Sequence, residues 1–179
     1  MALASAGVKN LKNSSFCKPV SESFSPYAAS AANLANLREL VDENNRVLGL
    51  FTPRTVSRQK VLRRAAAITP EDKKGRLVFR LVDDALDFAV YAPASPTLAA
   101  EDHIAALWPA LAGTPRCLGV FSPCAENGLA FASVWLAPST DVLPGDNYIF
   151  IERSGIKSML ARGYEFSPFL RQLILGGIV

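Results

Sequence analysis

A basic run without acidic residues is the stretch of this sequence best suited to chemistry with a ligand. Positions 44–70 contain no Asp or Glu and six basic residues: Arg46, Arg54, Arg58, Lys60, Arg63 and Arg64. Arginine binds phosphate oxygens through paired, charge-assisted hydrogen bonds, so the run predicts either a solvated surface or a pocket for an anion. Aromatic residues do not alternate with the basic ones, which argues against a nucleic-acid-binding surface.

Histidine and cysteine are too sparse in this sequence to build a zinc site. The chain has a single histidine, His103, and three cysteines without C-x-x-C spacing: Cys17, Cys117 and Cys124. Because structural zinc sites are built from several such ligands, the sequence predicts none. Free thiols are typical of a reducing compartment, which predicts a cytoplasmic protein.

Three acidic residues close together, Asp83, Asp84 and Asp87, are the remaining candidates for metal chemistry. Carboxylates are ligands that magnesium prefers, so a displaced metal site is one interpretation. A charged connection between two strands explains the same residues without a metal. We adopt the second interpretation.

Residues 97–113 predict an amphipathic helix that carries little polar chemistry. Its apolar residues recur at i, i+3, i+4 and i+7, namely Ile104, Leu107, Trp108 and Leu111. This spacing places one apolar stripe along one side of a helix, so we expect Ile104, Leu107 and Leu111 to be buried. His103 lies off this stripe and is predicted to be exposed.

The sequence also predicts where this helix begins and ends. Ser95 followed by Pro96 predicts the N-terminus, with Ser as the cap and Pro in the first helical position. Glu101 and Asp102 lie near that end, where the helix dipole favours negative charge. Pro109 lacks a backbone donor and crowds the preceding turn, so the helix should kink or stop at the residue before it.

Length and composition restrict the class of protein. The 179 residues, 50% hydrophobic and 20% charged, are enough for one domain with a substantial core. A net charge of +3 is too small to indicate a nucleic-acid-binding protein, and no apolar run is long enough to cross a membrane. Residues 1–36 are rich in Ser, Ala and Asn, which predicts a flexible N-terminal arm before a domain at residues 37–179.

Within that domain, turn residues separate short apolar segments. Residues 42–45 combine Asp and Asn, so they predict the turn of a hairpin between strands at 39–41 and 46–51. Asn127-Gly128 lies between two apolar runs and predicts a second hairpin over residues 117–137. Further strands are predicted at residues 63–68 and 148–152. Ser154 predicts the cap of a helix that Gly163 ends.

The first of these segments resembles the Nudix hydrolases of the isopentenyl-diphosphate-isomerase-like branch. The string VDENNRVLG at residues 41–49 matches the family pattern V-D-E-x-x-x-V-x-G, and Arg54 follows it as an arginine does in the family. The string VLRRAAAI resembles the family's L-H-R-A segment, with Arg64 at the arginine and Arg63 in place of the histidine.

The resemblance continues to residue 174. Residues 70–81, PEDKKGRLVFRL, resemble the family's next hairpin, where Arg80 matches the first arginine of L-L-x-Q-R-R. LDFAVYA at 86–92 stands at a strand of the type W-D-x-S-x-G-G, and FSPFLRQLI at 166–174 is similar to the segment that opens the final helix. The resemblance implies an α/β (α+β) fold, the Nudix-type α/β/α sandwich with a mixed β-sheet.

The Nudix box itself is degenerate in this sequence. In the family the motif G-x5-E-x7-R-E-U-x-E-E-x-G-U places glutamates on one helix face, where they bind magnesium. The gapless register puts Tyr91 at the first glycine, Thr97 at the first glutamate, and alanine or proline at charged positions 105, 106, 109 and 110. Residues 103–125 contain no acid, so a shifted register restores nothing. We therefore expect no catalytic residues and no metal ligands.

Three function classes follow from these observations. The leading one is a Nudix-fold binding or regulatory domain that has lost diphosphate hydrolysis and takes a phosphorylated small molecule without a cofactor. Its candidate ligand-binding residues are Arg54, Arg64 and Arg80, since each matches an arginine of the family pattern. The second class is a magnesium-dependent hydrolase of nucleoside or isoprenoid diphosphates that uses displaced carboxylates. The third is a structural module that binds a protein partner or forms a homo-oligomer.

Overall fold

A computed structural model of the chain describes residues 36–55, 61–140 and 145–179. Its strands are β1 (Arg38–Val41), β2 (Val47–Phe51), β3 (Arg63–Glu71), β4 (Arg76–Val82), β5 (Ala85–Phe88), β6 (Val90–Pro93), β7 (Arg116–Phe121), β8 (Ala130–Pro138) and β9 (Tyr148–Glu152). Its helices are α1 (Ala100–Leu107), α2 (Arg153–Ala161) and α3 (Pro168–Leu175). Residues 1–35 of the predicted N-terminal arm, Arg58 and Lys60 lie outside the described residues. No helix in the described ranges is long and apolar enough to cross a membrane.

Strand β3 forms the centre of the sheet. β8 runs parallel to it from Arg63↔Ala130 to Glu71↔Pro138, and β6 pairs antiparallel with its other edge. Residues 65–70 are all buried. A strand covered on both faces is expected to be continuously apolar rather than alternating, which is what the segment AAAI shows. The strand predicted at 63–68 is confirmed and extends to Glu71.

Two helical layers cover the sheet. Helices α2 and α3 pack on one face, where Ile156 and Leu170 join a core with Phe79 and Val134. Helix α1 packs on the other face, where its Ile104 contacts a second buried cluster. Since apolar faces of a sheet must be covered, this arrangement is an α/β/α sandwich with a mixed sheet, and the predicted fold class is confirmed.

Two hairpin turns use the same aspartate chemistry. In the β1–β2 and β3–β4 turns, the carboxylates of Asp42 and Asp72 each accept hydrogen bonds from the backbone N–H groups two and four residues later, at 2.8 to 2.9 Å. Each turn also contains a left-handed residue, Asn45 with φ 61° in the first and Gly75 with φ 76° in the second. Asn and Gly tolerate this conformation, so both hairpins are fixed locally by their sequences.

The β7–β8 hairpin is confirmed, but its connection is a longer loop at residues 122–129. Asn127 is buried in this loop, and its Oδ1 accepts the backbone N–H groups of Cys124 at 2.9 Å and Ala130 at 3.1 Å. The Tyr91 hydroxyl donates to the Asn127 carbonyl at 2.6 Å, and burial raises the pKa of Tyr91 to about 12. Asn127 therefore organises the loop from inside rather than forming a two-residue turn with Gly128.

The strand predicted at residues 86–92 is wrong as a single element. The chain forms β5 along β4 and then β6 along β3, with the buried Ala89 between them. This segment therefore crosses from one part of the sheet to another.

Both predicted helix caps are wrong. Ser95 Oγ accepts the N–H groups of Thr97 and Leu98 at 3.2 Å, so it caps a turn that precedes α1. The helix itself begins at Ala100, after the N-cap residue Ala99. In α2, Ser154 lies inside the first turn because the N-cap is Glu152. Gly163 does end that helix region, with φ 84°.

The apolar stripe of α1 is only partly buried. Ile104 is 1% exposed, as expected, whereas Leu107 and Leu111 are half-buried at the edge of the cluster. The helix ends at Leu107, so Leu111 does not continue the helical stripe. The expectation that both leucines are core residues is therefore wrong.

This difference in burial predicts a difference in stability. Ile104→Ala should lower the free energy of unfolding by about 2–5 kcal/mol, the cost typical of a fully buried aliphatic side chain. Leu107→Ala should cost clearly less, since part of its surface already contacts water. Urea denaturation of both variants measures the two losses. Equal losses of stability in the two variants would contradict the difference in burial between Ile104 and Leu107.

Candidate functional site

A cleft of about 360 Å³ lies between the sheet and the N-terminal half of α1. Strands β3 and β8 form its floor, and residues 94–104 form its opposite wall. Glu39 and Asn45 of the β1–β2 hairpin close one end together with Arg64. A concave, mostly apolar site with a few polar groups at one end is typical of small-molecule binding.

Small side chains on β3 leave the room for this cleft. Ala66 lies beside Ser133 in the parallel β3–β8 register, and the Ser133 hydroxyl donates to the Ala65 carbonyl at 3.1 Å. Phe131 and Trp135 flank Ser133 on the same face of β8, because alternate strand residues share a face. The Trp135 indole N–H is buried and has no acceptor among the described residues. The floor is thus largely apolar, with one hydroxyl that is already engaged and one indole N–H that has no acceptor among the described residues.

The helical wall contributes His103 and the start of α1. His103 is half-buried, and its Nε2 lies 3.1 Å from the Pro93 carbonyl, so the prediction that it is exposed is wrong. Ala100, the first residue of α1, also lines the cleft. The positive end of the helix dipole therefore lies at this wall, and the N-cap residue Ala99 provides no side-chain cap there. Two exposed acids in the same turn, Glu101 and Asp102, offset part of that charge.

Arg64 supplies the charged end of the cleft and also ties the β1–β2 hairpin to β3. Its Nε donates to Asn45 Oδ1 at 2.8 Å and its Nη2 to the Asn45 carbonyl at 2.6 Å. Its Nη1 donates to Glu39 Oε2 at 3.1 Å. One N–H on each terminal nitrogen is left for another acceptor, because a guanidinium carries two on each. Arg64 is therefore engaged structurally but not saturated.

The other two predicted ligand-binding arginines do not line this cleft. Arg54 follows β2 and is exposed. Arg80 lies on β4 between Asp87 of β5 and Tyr148 of β9, and its Nε is buried without a hydrogen-bond partner in the described ranges. Of the three arginines, the structure places only Arg64 at the cleft. The roles of Arg54 and Arg80 stay predictions.

The far end of α1 is fixed by a buried indole. Trp108 is 1% exposed and extended, with ψ 90°, and its Nε1 donates to Ser139 Oγ at 3.0 Å. Pro109 follows it, so the predicted stop before this proline is confirmed. The chain then lies along the end of β8, where Ala112 N–H donates to the Pro138 carbonyl at 2.8 Å. Positions 109 and 110, where the resemblance expects glutamates, are thus beyond the helix.

Of the three aspartates that the sequence suggests for a metal, Asp83 and Asp84 form a turn and Asp87 lies in β5. Asp83 and Asp84 are exposed and both have positive φ, 48° and 66°, as the two-residue turn between β4 and β5 requires. Asp87 accepts a hydrogen bond from the Ser167 hydroxyl at 2.6 Å. Across residues 36–55, 61–140 and 145–179, no group of three His, Cys, Asp or Glu side chains is arranged to bind a metal ion.

Several residues of the cleft have no signal in the sequence that marks them. Glu39 and Asn45 meet Arg64 only because the hairpin folds against β3, a contact between distant parts of the chain. Phe131, Ser133 and Trp135 do alternate along β8, which indicates a shared face. The alternation does not predict that α1 leaves part of that face uncovered, which is what forms the cleft.

Comparison with known proteins supports the fold. The crystal structure of DR0079 from Deinococcus radiodurans is similar to this chain with a TM-score of 0.58 and 20% identity, covering 77% of this chain and 96% of that one. The solution structure of DR0079, described as a hypothetical Nudix protein, gives a TM-score of 0.44 and 18% identity over 76% and 88%. No protein-family model and no curated protein sequence matches the chain. The first similarity shows that the fold is Nudix-like.

The indole contact at the end of α1 predicts a measurable coupling. Ser139→Ala should lower the free energy of unfolding by about 1–3 kcal/mol, because it leaves the buried Trp108 N–H without an acceptor. In a Trp108→Phe background the same substitution should cost less, since no donor remains to be satisfied. Thermal or urea denaturation of the four proteins measures this cycle. Equal costs in the two backgrounds would mean that the hydrogen bond does not contribute.

Proposed function

We propose that this protein is a non-catalytic binding or regulatory domain that holds a phosphorylated small molecule in the cleft beside α1. The observation that carries the proposal is a largely apolar cleft with Arg64 at one end. The phosphate would accept hydrogen bonds from Arg64, whose terminal nitrogens still have N–H groups to donate. The rest of the ligand would lie between α1 and the floor of β3 and β8.

The loss of hydrolysis is supported by the side chains of α1. The helix ends at Leu107 and has alanine at positions 105 and 106, where the resemblance expects Arg and Glu. Its only acids are Glu101 and Asp102, which are exposed neighbours in the first turn. Adjacent helical residues point in different directions, so this pair does not form the converging set that magnesium binding needs.

The loss of the box glutamates also alters how a phosphate can be bound. In a Nudix site the metal offsets the repulsion between the glutamates and the phosphate of the ligand. Where the glutamates are missing, an arginine can bind phosphate oxygens directly. Binding to this chain is therefore proposed to be independent of metal. The isopentenyl-diphosphate-isomerase-like branch remains part of this proposal as a resemblance.

The first test concerns catalysis. Purified protein is expected to release no phosphate or pyrophosphate from a panel of nucleoside and isoprenoid diphosphates with Mg²⁺ or Mn²⁺. The reason is the absence of carboxylates at the box positions. Metal-dependent turnover that disappears with Asp83→Asn, Asp84→Asn or Glu101→Gln would instead establish the hydrolase that uses displaced carboxylates.

The second test concerns binding. Calorimetry should detect weak binding of a phosphorylated small molecule, with the same affinity in the presence of a chelator. Arg64→Gln should weaken it by about ten- to a hundredfold, the loss typical of hydrogen bonds to a charged group. Arg46→Gln is the matched control, since Arg46 is an exposed arginine of the same hairpin turn.

The other results of this experiment identify the other functions. Binding that the chelator abolishes would indicate a metal site and contradict the proposal. No binding to any phosphorylated ligand would leave the partner-binding module. Parallel titrations of Arg54→Gln and Arg80→Gln test the remaining two arginines that the sequence predicts.

A further inference from the structure

We propose that Glu39 and the anionic group of the ligand compete for Arg64, so that occupation of the cleft loosens the β1–β2 hairpin. The existence of a natural ligand rests on the function proposed above. The competition is a property of the Glu39–Arg64 ion pair itself. Through this pair, ligand binding in the cleft would change how firmly the β1–β2 hairpin is held.

The hydrogen bonds of Arg64 restrict where an anion can bind. Asn45 occupies one side of the guanidinium through Nε and Nη2, at 2.8 and 2.6 Å. A bidentate phosphate must therefore use the remaining N–H groups of the two terminal nitrogens. Glu39 Oε2 is already 3.1 Å from one of them, Nη1. Phosphate oxygens bound to the free N–H groups of Arg64 would therefore lie next to this carboxylate.

Repulsion between two negative charges beside Arg64 is the main source of the competition. The Glu39 side chain is 14% exposed and that of Arg64 is 34% exposed, so water screens the pair only in part. A phosphate beside Arg64 would be repelled by the Glu39 carboxylate at short range. The anion lowers this repulsion by displacing Glu39 toward solvent. Arg64 then exchanges an internal carboxylate for a phosphate.

Other contacts among the described residues also hold the hairpin to the sheet. β1 meets β3 at the single pair Leu40↔Arg63, and Val41 N–H donates to the Leu62 carbonyl at 3.1 Å. The Arg64 contacts add the Glu39 ion pair and the two bonds to Asn45. Since Glu39 belongs to β1, its release removes one of these ties. The remaining ties keep the hairpin attached while β1 opens more often.

Glu39→Gln separates the competition from other effects. The amide keeps the size and an acceptor oxygen but removes the charge, so the affinity for phenyl phosphate should rise by about three- to tenfold, a modest gain because the pair is partly solvated. Glu43→Gln is the matched control. Glu43 is an exposed residue in the turn of the same hairpin, and its substitution changes the net charge by the same amount. Calorimetry on the full chain measures all three affinities.

Hydrogen exchange provides the second readout. Saturating phenyl phosphate should speed amide exchange at residues 38–41 in the wild-type protein. In Glu39→Gln these amides should already exchange faster, and the ligand should change them little. Slower exchange at residues 38–41 on binding would overturn the proposal, as would equal affinity gains in Glu39→Gln and Glu43→Gln.

The outcomes distinguish this proposal from the proposed function. Binding by Glu39→Gln but not by the wild-type protein would support the competition and contradict phosphate binding by the natural chain. Binding by both with equal affinity would overturn the competition and leave the proposed function intact. An absence of binding by either protein, with both shown to be folded by circular dichroism, would overturn both.

Discussion

The structure depends on the burial of β3 on both faces and its pairing on both edges. Two helical layers approach this strand, so the residues between them at positions 65–67 are small. The parallel register with β8 places Arg64 beside Phe131 and Ala66 beside Ser133. The charged end and the floor of the cleft are therefore set by one pairing. A slip of one residue would turn both to the opposite face, where α2 and α3 pack.

The parts of the fold that the sequence predicts are those decided by nearby residues. The β1–β2 turn follows from Asp42 and a left-handed Asn45, and the end of α1 follows from Pro109. The start of α1 shows how local rules can mislead, since Ser95 has capping chemistry but uses it on a separate turn. The parallel pairing of β3 with β8 has no local signal, because the two strands are far apart in sequence. Only the resemblance to a known family indicated a mixed sheet.

The candidate site was less predictable than the fold because its residues are brought together by contacts between distant parts of the chain. Matching the family pattern identifies Arg64, which does line the cleft. The same match selects Arg54 and Arg80 equally, although neither lines the cleft. Their different surroundings follow from strand order, which the sequence does not reveal. The partners of Arg64 were missed because Glu39 and Asn45 reach it across the hairpin. Polar side chains near an arginine in space, rather than in sequence, decide how many of its donors a ligand can use.

The groups at the cleft also bear on the difference between binding a phosphate and cleaving it. Hydrolysis needs a group that activates water and interactions that are stronger in the transition state than in the ground state. The ionisable side chains that line the described cleft are Glu39, Arg64 and His103. Glu39 is paired with Arg64, and His103 Nε2 lies against the Pro93 carbonyl. This arrangement fits the proposed binding domain better than a hydrolase, because the one carboxylate that lines the described cleft, Glu39, is paired with Arg64 rather than placed with other carboxylates for a metal.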